Sequence, residues 1–169
     1  MLKNIKIVAK ASVEFLPLMI FWSSDGRNIV SPMILCILLI ILGVYIKRKS
    51  FMLNGIFIML VSFFIIDFLG ISIDNTMVSY LILGLICSIS VLINRPYTMY
   101  LSKGEYQEIS DSPLFIEMNV ILSNIFAGVY YICFLVYLFA IPMKGVLIPF
   151  FIFLGVLATF ILPKMMPET

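Results

Sequence analysis

Six apolar stretches separated by short polar breaks run the length of this chain, and they dictate its solvent. They cover roughly residues 8–22, 29–46, 51–68, 77–93, 120–141 and 146–162. Five of them approach the ~20 helical residues that a bilayer core requires. Inside hydrocarbon every backbone amide must find its partner within the protein, so such stretches become helices. The expected fold is all-α: a polytopic transmembrane helical bundle with five full spans plus a short or broken first segment. Residues 1–169 form one integral membrane domain in this reading. Composition points the same way. The chain is 63% hydrophobic and 12% charged, against about 45–50% and 25% in ordinary soluble domains. A soluble fold of this size cannot hide that much apolar surface.

The first stretch is the weakest, because it carries Lys10, Ser12, Glu14 and Pro17. A proline inside a helix removes a hydrogen bond and kinks the chain. Lys3, Lys6 and Lys10 ahead of an apolar run have the form of a signal peptide, but Ser23, Ser24, Asp25 and Gly26 follow without a small-residue cleavage pattern. The segment is therefore expected to be retained.

Charge sets the expected sidedness. Six crossings with an internal N-terminus put Lys3, Lys6, Lys10, Lys47, Arg48, Lys49, Arg95, Lys103 and Lys164 on the cytoplasmic face, and only Arg27 and Lys144 outside. If the first stretch does not cross, its three lysines move outside and the asymmetry almost vanishes. The positive-inside rule favours the six-crossing layout, with both termini cytoplasmic.

Residues 94–117 form the only sizeable polar region, expected as a cytoplasmic interfacial loop. Arg95, Lys103, Glu105, Glu108, Asp111 and Glu117 alternate there with Tyr97, Tyr100, Leu101 and Tyr106. Aromatic residues among charges suit the headgroup zone. Asp111, Ser112 and Pro113 read as a helix start: a capping side chain, then a proline whose missing N–H costs nothing in the first turn. A helix from Pro113 to Ile141 would be about 43 Å long, so its first turns should lie at the membrane surface.

Candidate functional residues are few. Glu14 and Asp67 fall where lipid makes a carboxylate costly, which marks a hydrated site or a local pairing, such as Glu14 with Lys10 one turn earlier. Asp67 is also close enough to the turn at residues 70–75 to reach water. Asn119, Ser123, Asn124 and Gly128 form a polar, small-sided strip on the fifth stretch. Helix packing is its plainer reading and ligand lining the alternative. Gly84 with Ser88, and Gly155 with Thr159, repeat the small-xxx-small spacing of close helix contacts. Cys36, Cys87 and Cys133 lie in separate apolar stretches and read as small buried hydrophobes. The chain has no histidine, which excludes His-based acid–base catalysis and His-ligated metals. No nucleophile–base pair, phosphate-binding glycine loop or metal-ligand cluster is present, so neither a catalytic residue nor a cofactor is expected. A net charge of +2 gives no reason to expect nucleic acid.

Two passages carry a family pattern. Glu14-Phe15-Leu16-Pro17-Leu18 leads into an aromatic run and a helix ending in a basic cluster. Asn94-Arg95-Pro96-Tyr97-Thr98-Met99-Tyr100 is followed by Gly104-Glu105, then by Ser112-Pro113-Leu114-Phe115 and Asn119. Together they resemble the intracellular septation protein A family of bacterial inner-membrane proteins, over most of the chain. One departure is the early tryptophan common in that family's next helix, where Ile125 and Phe126 stand here. The resemblance implies a role in cell division, elongation and envelope integrity through contacts with other membrane proteins, and the lack of a catalytic constellation leads us to expect that this role is non-enzymatic. The contact loop would use Arg95, Pro96, Tyr97, Thr98, Lys103 and Glu105. Expected partners are the lipid bilayer, membrane proteins of the envelope or division machinery, and a further copy of the chain. Two alternatives stand beside this reading. One is a small transporter or channel with Glu14 and Asp67 on a polar path. The weaker is a lipid enzyme using Glu105, Glu108 and Asp111, for which three acids without histidine make a poor metal site.

Overall fold

The computed structural model describes residues 51–71, 73–103, 106, 110–139 and 141–165, together with 5, 7–9, 12 and 18. Side chains at 51–53, 67 and 163–165 fall outside that description. Five helices follow in order: α1 (Phe51–Phe68), α2 (Asn75–Leu92), the short α3 (Tyr97–Ser102), α4 (Pro113–Leu138) and α5 (Lys144–Met165). Residues 5, 7–9, 12 and 18 are also helical, and no strand occurs among the described residues. The second apolar stretch, the basic cluster at 47–49, Glu14 and Glu105 lie outside the described residues.

Local chemistry sets the helix ends. Asp74 begins α2 by accepting from the Met77 N–H at 2.9 Å, and Ser112 begins α4 by accepting from the Phe115 N–H at 3.2 Å, with Pro113 in the first turn. Both satisfy amides that a helix start leaves open. Asn94 closes α2 in the left-handed conformation, φ 54°. Its N–H donates to Val91 O at 2.9 Å, and that of Arg95 to Ser90 O at 2.8 Å. This is a Schellman closure with asparagine in place of the usual glycine. Gly70, φ 71°, closes α1 in the same way, with Ile71 N–H donating to Ile66 O at 3.2 Å.

α4 is the hub. It packs most extensively on α2, then on α5, and it also holds α3; α1 leans on α2. Buried positions on α4 recur every three or four residues, through Phe115, Asn119, Ser123, Ala127, Tyr130, Cys133 and Val136. The α2–α4 seam closes on a small residue: a Cβ built at Gly84 would lie 2.6 Å from Tyr131 Cε1. One turn along α2, Ser88 Oγ hydrogen-bonds Tyr131 OH at 3.0 Å. Tyr80 and Tyr137 meet at 5.7 Å between centroids nearer the other end of the seam. Cys87 and Cys133 are buried free thiols within this core, and Leu18 from the first stretch is buried there with them.

The outside of the molecule is greasier than its interior requires. Leu92 is 79% exposed, Phe68 75% and Phe139 71%, and α5 shows Val146, Phe150, Phe153, Leu154 and Ile161 outward. Water does not tolerate such continuous apolar surface, whereas lipid does. Among the described residues, three helices are long and apolar enough to cross a membrane: Asn75–Leu92, Pro113–Leu138 and Lys144–Leu162 of α5. A shorter apolar helix covers Asn54–Ile66 of α1.

Several expected boundaries shift. The polar region 94–117 is no simple loop, because α3 lies within it. α4 stops at Leu138 rather than Ile141. α5 runs past Pro163, whose missing N–H removes only one bond near the helix end.

Candidate functional site

The short α3 is held by hydroxyl and amide groups rather than by grease. After the turn at Asn94, the Tyr97 N–H donates to Ser90 Oγ at 3.1 Å, and that hydroxyl donates to Cys87 O at 2.6 Å. Thr98 Oγ1 donates to the Asn119 carbonyl of α4 at 2.9 Å and lies 3.1 Å from Ser123 Oγ. Thr98 has a single hydroxyl hydrogen, so with that hydrogen on Asn119 O, Ser123 is the donor of the second contact. Ser102 Oγ has two acceptors at nearly equal distance, Thr98 O at 2.9 Å and Asn119 Oδ1 at 3.0 Å. The Asn119 amide donates to Phe115 O at 2.8 Å, one turn back on its own helix. Asn119 is 1% exposed, and Thr98, Ser102, Ser90 and Ser123 are buried with it. Tyr97 sets its ring edge-on to Phe126 at 5.8 Å, which fixes α3 from its apolar side.

The sequence-selected residues divide. Asn119 and Ser123 of the polar strip meet Thr98 of the contact loop in one cluster. Asn124 does not join them. It is exposed, because five positions turn a helix by about 140° relative to Asn119. Pro96, Tyr97 and Thr98 are buried, so half of the expected contact surface faces inward. Arg95 and Lys103 remain exposed. Lys103 Nζ lies 3.5 Å from Asp111 Oδ1, with the two side chains 55% and 89% exposed. Glu14 and Glu105 lie outside the described residues. Asp67 is placed in α1 by its backbone only. Ser90 and Ser102 belong to the cluster and were not singled out from sequence, although Ser102 stands one helical turn after Thr98. The packing glycines fall at helix contacts: Gly84 under Tyr131, and Gly155 opposite Phe126 and Val129.

Beside the cluster lies a cavity of about 570 Å³, within the roughly 300–1,000 Å³ range of small-ligand sites. Thr98, Ser102 and Asn119 are at one end, and Tyr80, Tyr130 and Ile148 line the other. Its walls are mostly hydrocarbon and aromatic rings, from α2, α3, α4, α5 and the helical residues Ile7 and Val8. The cluster itself is neutral: it can orient, donate and accept, but it holds no charge. Among the described residues no three His, Cys, Asp or Glu side chains converge. Scans against protein-family models, curated proteins and solved structures gave no match.

Proposed function

We propose that this chain is a multi-pass protein of the bacterial inner membrane that supports envelope synthesis or septation through contacts with other membrane proteins. The observation that carries the reading is the clamping of α3. Four hydroxyls and one amide fix the segment after Asn94, and they leave Arg95 and Lys103 exposed on a held platform beside the ends of two apolar helices. A mobile loop would lose conformational entropy on meeting a partner; a fixed one has lost it already. The passages that resemble the intracellular septation protein A family include members of this clamp, Tyr97, Thr98 and Asn119, and the Ser112 cap. In this reading both termini are cytoplasmic, and five helices span the bilayer beside a short first segment.

Reversing both charges (Arg95→Glu with Lys103→Glu) should weaken in-cell crosslinking to envelope proteins severalfold while leaving membrane insertion intact. Unchanged crosslinking together with normal cell shape would count against the proposal. The transporter alternative, with Glu14 and Asp67 on a polar path, makes a separate demand: flux in reconstituted vesicles that Glu14→Gln or Asp67→Asn abolishes. The apolar wall of the cavity suits hydrocarbon better than ions, so contact rather than conduction is the favoured reading.

A further inference from the structure

The cavity has the dimensions of one lipid chain. Along α4 it runs from Met118 to Tyr130, and along α5 from Ile148 to Thr159. At 1.5 Å per residue these are roughly 18 and 16 Å, about half of the ~30 Å hydrocarbon core, which is one leaflet. Spread over about 17 Å, 570 Å³ averages roughly 33 Å² in cross-section. A hydrocarbon chain packed at ~4 Å carbon contacts needs on the order of 20 Å², so the space takes one chain and not two.

Its chemistry is graded along that length. Asn119, Ser102, Thr98 and Thr159 gather at the end near α3, and the far end is closed by Tyr80, Tyr130 and Ile148. Asn119 has two amide hydrogens; one goes to Phe115 O, and the second is available on the cavity wall. Lys103, next in the chain to Ser102, is an exposed cation at the same end. The cavity is also open sideways. Pro149 and Phe153 of α5, and Ser12, line it and are exposed, so lipid can enter beside these residues.

We propose that this cavity is a binding site for one acyl chain of an anionic phospholipid, drawn from the leaflet on whose surface α3 lies. The glycerol and phosphate rest against Ser102, Asn119 and Lys103, and the chain end lies between Tyr80, Tyr130 and Ile148.

The test uses the full chain reconstituted into zwitterionic phosphatidylcholine vesicles doped with a small fraction of a phosphatidylglycerol whose acyl terminus carries a diazirine. After irradiation, adducts are mapped by peptide mass spectrometry. The expected labels fall on Tyr80, Tyr130 or Ile148, and they saturate at low probe fraction. Val156→Trp, which blocks the cavity about one helical turn from its polar end, should cut that labelling at least tenfold. Leu157→Trp, on the outward side of the same turn, should leave it unchanged. Ile152→Phe serves as a second filling variant if Val156→Trp does not fold by circular dichroism. Lys103→Gln should weaken labelling severalfold with the phosphatidylglycerol probe and leave it unaltered with a zwitterionic one. Labels confined to outward residues such as Phe150 and Leu154, or cavity labels that persist in both filled variants, would overturn the assignment.

Discussion

α4 makes two kinds of contact, and they are built from opposite materials. Along α2 it closes on a glycine under a tyrosine ring, with Cys87, Cys133 and Leu83 buried around it. Against α3 it closes on Thr98, Ser102, Asn119 and Ser123, a compact group of buried polar side chains. The difference follows from the solvent. Between two helices in lipid there is no hydrophobic drive to associate, because lipid tails are as apolar as leucine, so the seam relies on close approach and dispersion. α3 has six residues and spans nothing. It lies at a helix end where backbone groups need partners, and hydrogen bonds both fasten it and satisfy them. The seam should therefore govern global stability, and the junction local order.

The seam is the place to break the fold hardest. Gly84→Leu must displace Tyr131, whose ring lies within 3 Å of a built Cβ and whose hydroxyl is bonded to Ser88. Overpacking of this kind costs about 3 kcal/mol. Thermal unfolding in mild detergent, followed by circular dichroism, should show a large fall in midpoint, with Gly84→Ala intermediate. A Gly84→Leu protein that melts like the parent would mean that the two helices are not in contact there.

The two regions differed in legibility as well. The seam was readable, because Gly84 and Ser88 are one turn apart on one helix, and small residues at that spacing imply close approach whatever the partner. The same holds for the Ser112–Pro113 start of α4 and for the all-helical class. The junction was readable only in halves. Asn119 and Ser123 declared themselves by polarity within an apolar stretch, and the segment around Thr98 by its charge and aromatic content. What joins them is a bond across 21 residues and another across 25, and nothing local encodes a separation of that kind. Polarity also misled. Asn124 looked like part of the strip, but the helical turn sends it outward. Pro96, Tyr97 and Thr98 looked like surface because charged neighbours flank them, yet hydroxyls from two other helices draw them in.

Loss of the junction should be local. Thr98→Val keeps the shape and removes the hydroxyl's bonds to Asn119 O and Ser123 Oγ, leaving the backbone N–H of residue 98 donating to Ser123 Oγ at 3.5 Å. Interhelical hydrogen bonds in membranes are worth roughly 0.6 kcal/mol, and up to about 1.7, so α3 loosens by about 1 kcal/mol. The detergent melting midpoint should move by only a degree or two. Trypsin cleavage after Lys103, already exposed on that segment, should accelerate about fivefold. A drop in midpoint as large as that of Gly84→Leu would show that the junction carries the bundle, and the contrast between the regions would fail.

The smallest effect is expected from the exposed ion pair between Lys103 and Asp111. Lys103 and Asp111 lie 3.5 Å apart, but their side chains are more than half exposed. Exposed pairs are worth between nothing and about 1 kcal/mol, and salt screens them. Asp111→Asn removes the charge and keeps the shape, one residue before the Ser112 cap. Stability should change by less than about 0.5 kcal/mol, and the cleavage rate after Lys103 should match the parent at both low and high salt. If Asp111→Asn instead speeds cleavage as much as Thr98→Val does, and added salt erases the difference between Asp111→Asn and the parent, then charge rather than buried hydroxyls positions α3. The platform proposed for partner contact would then loosen with ionic strength, and Arg95 and Lys103 would have to be read as parts of its fastening as well as of its surface.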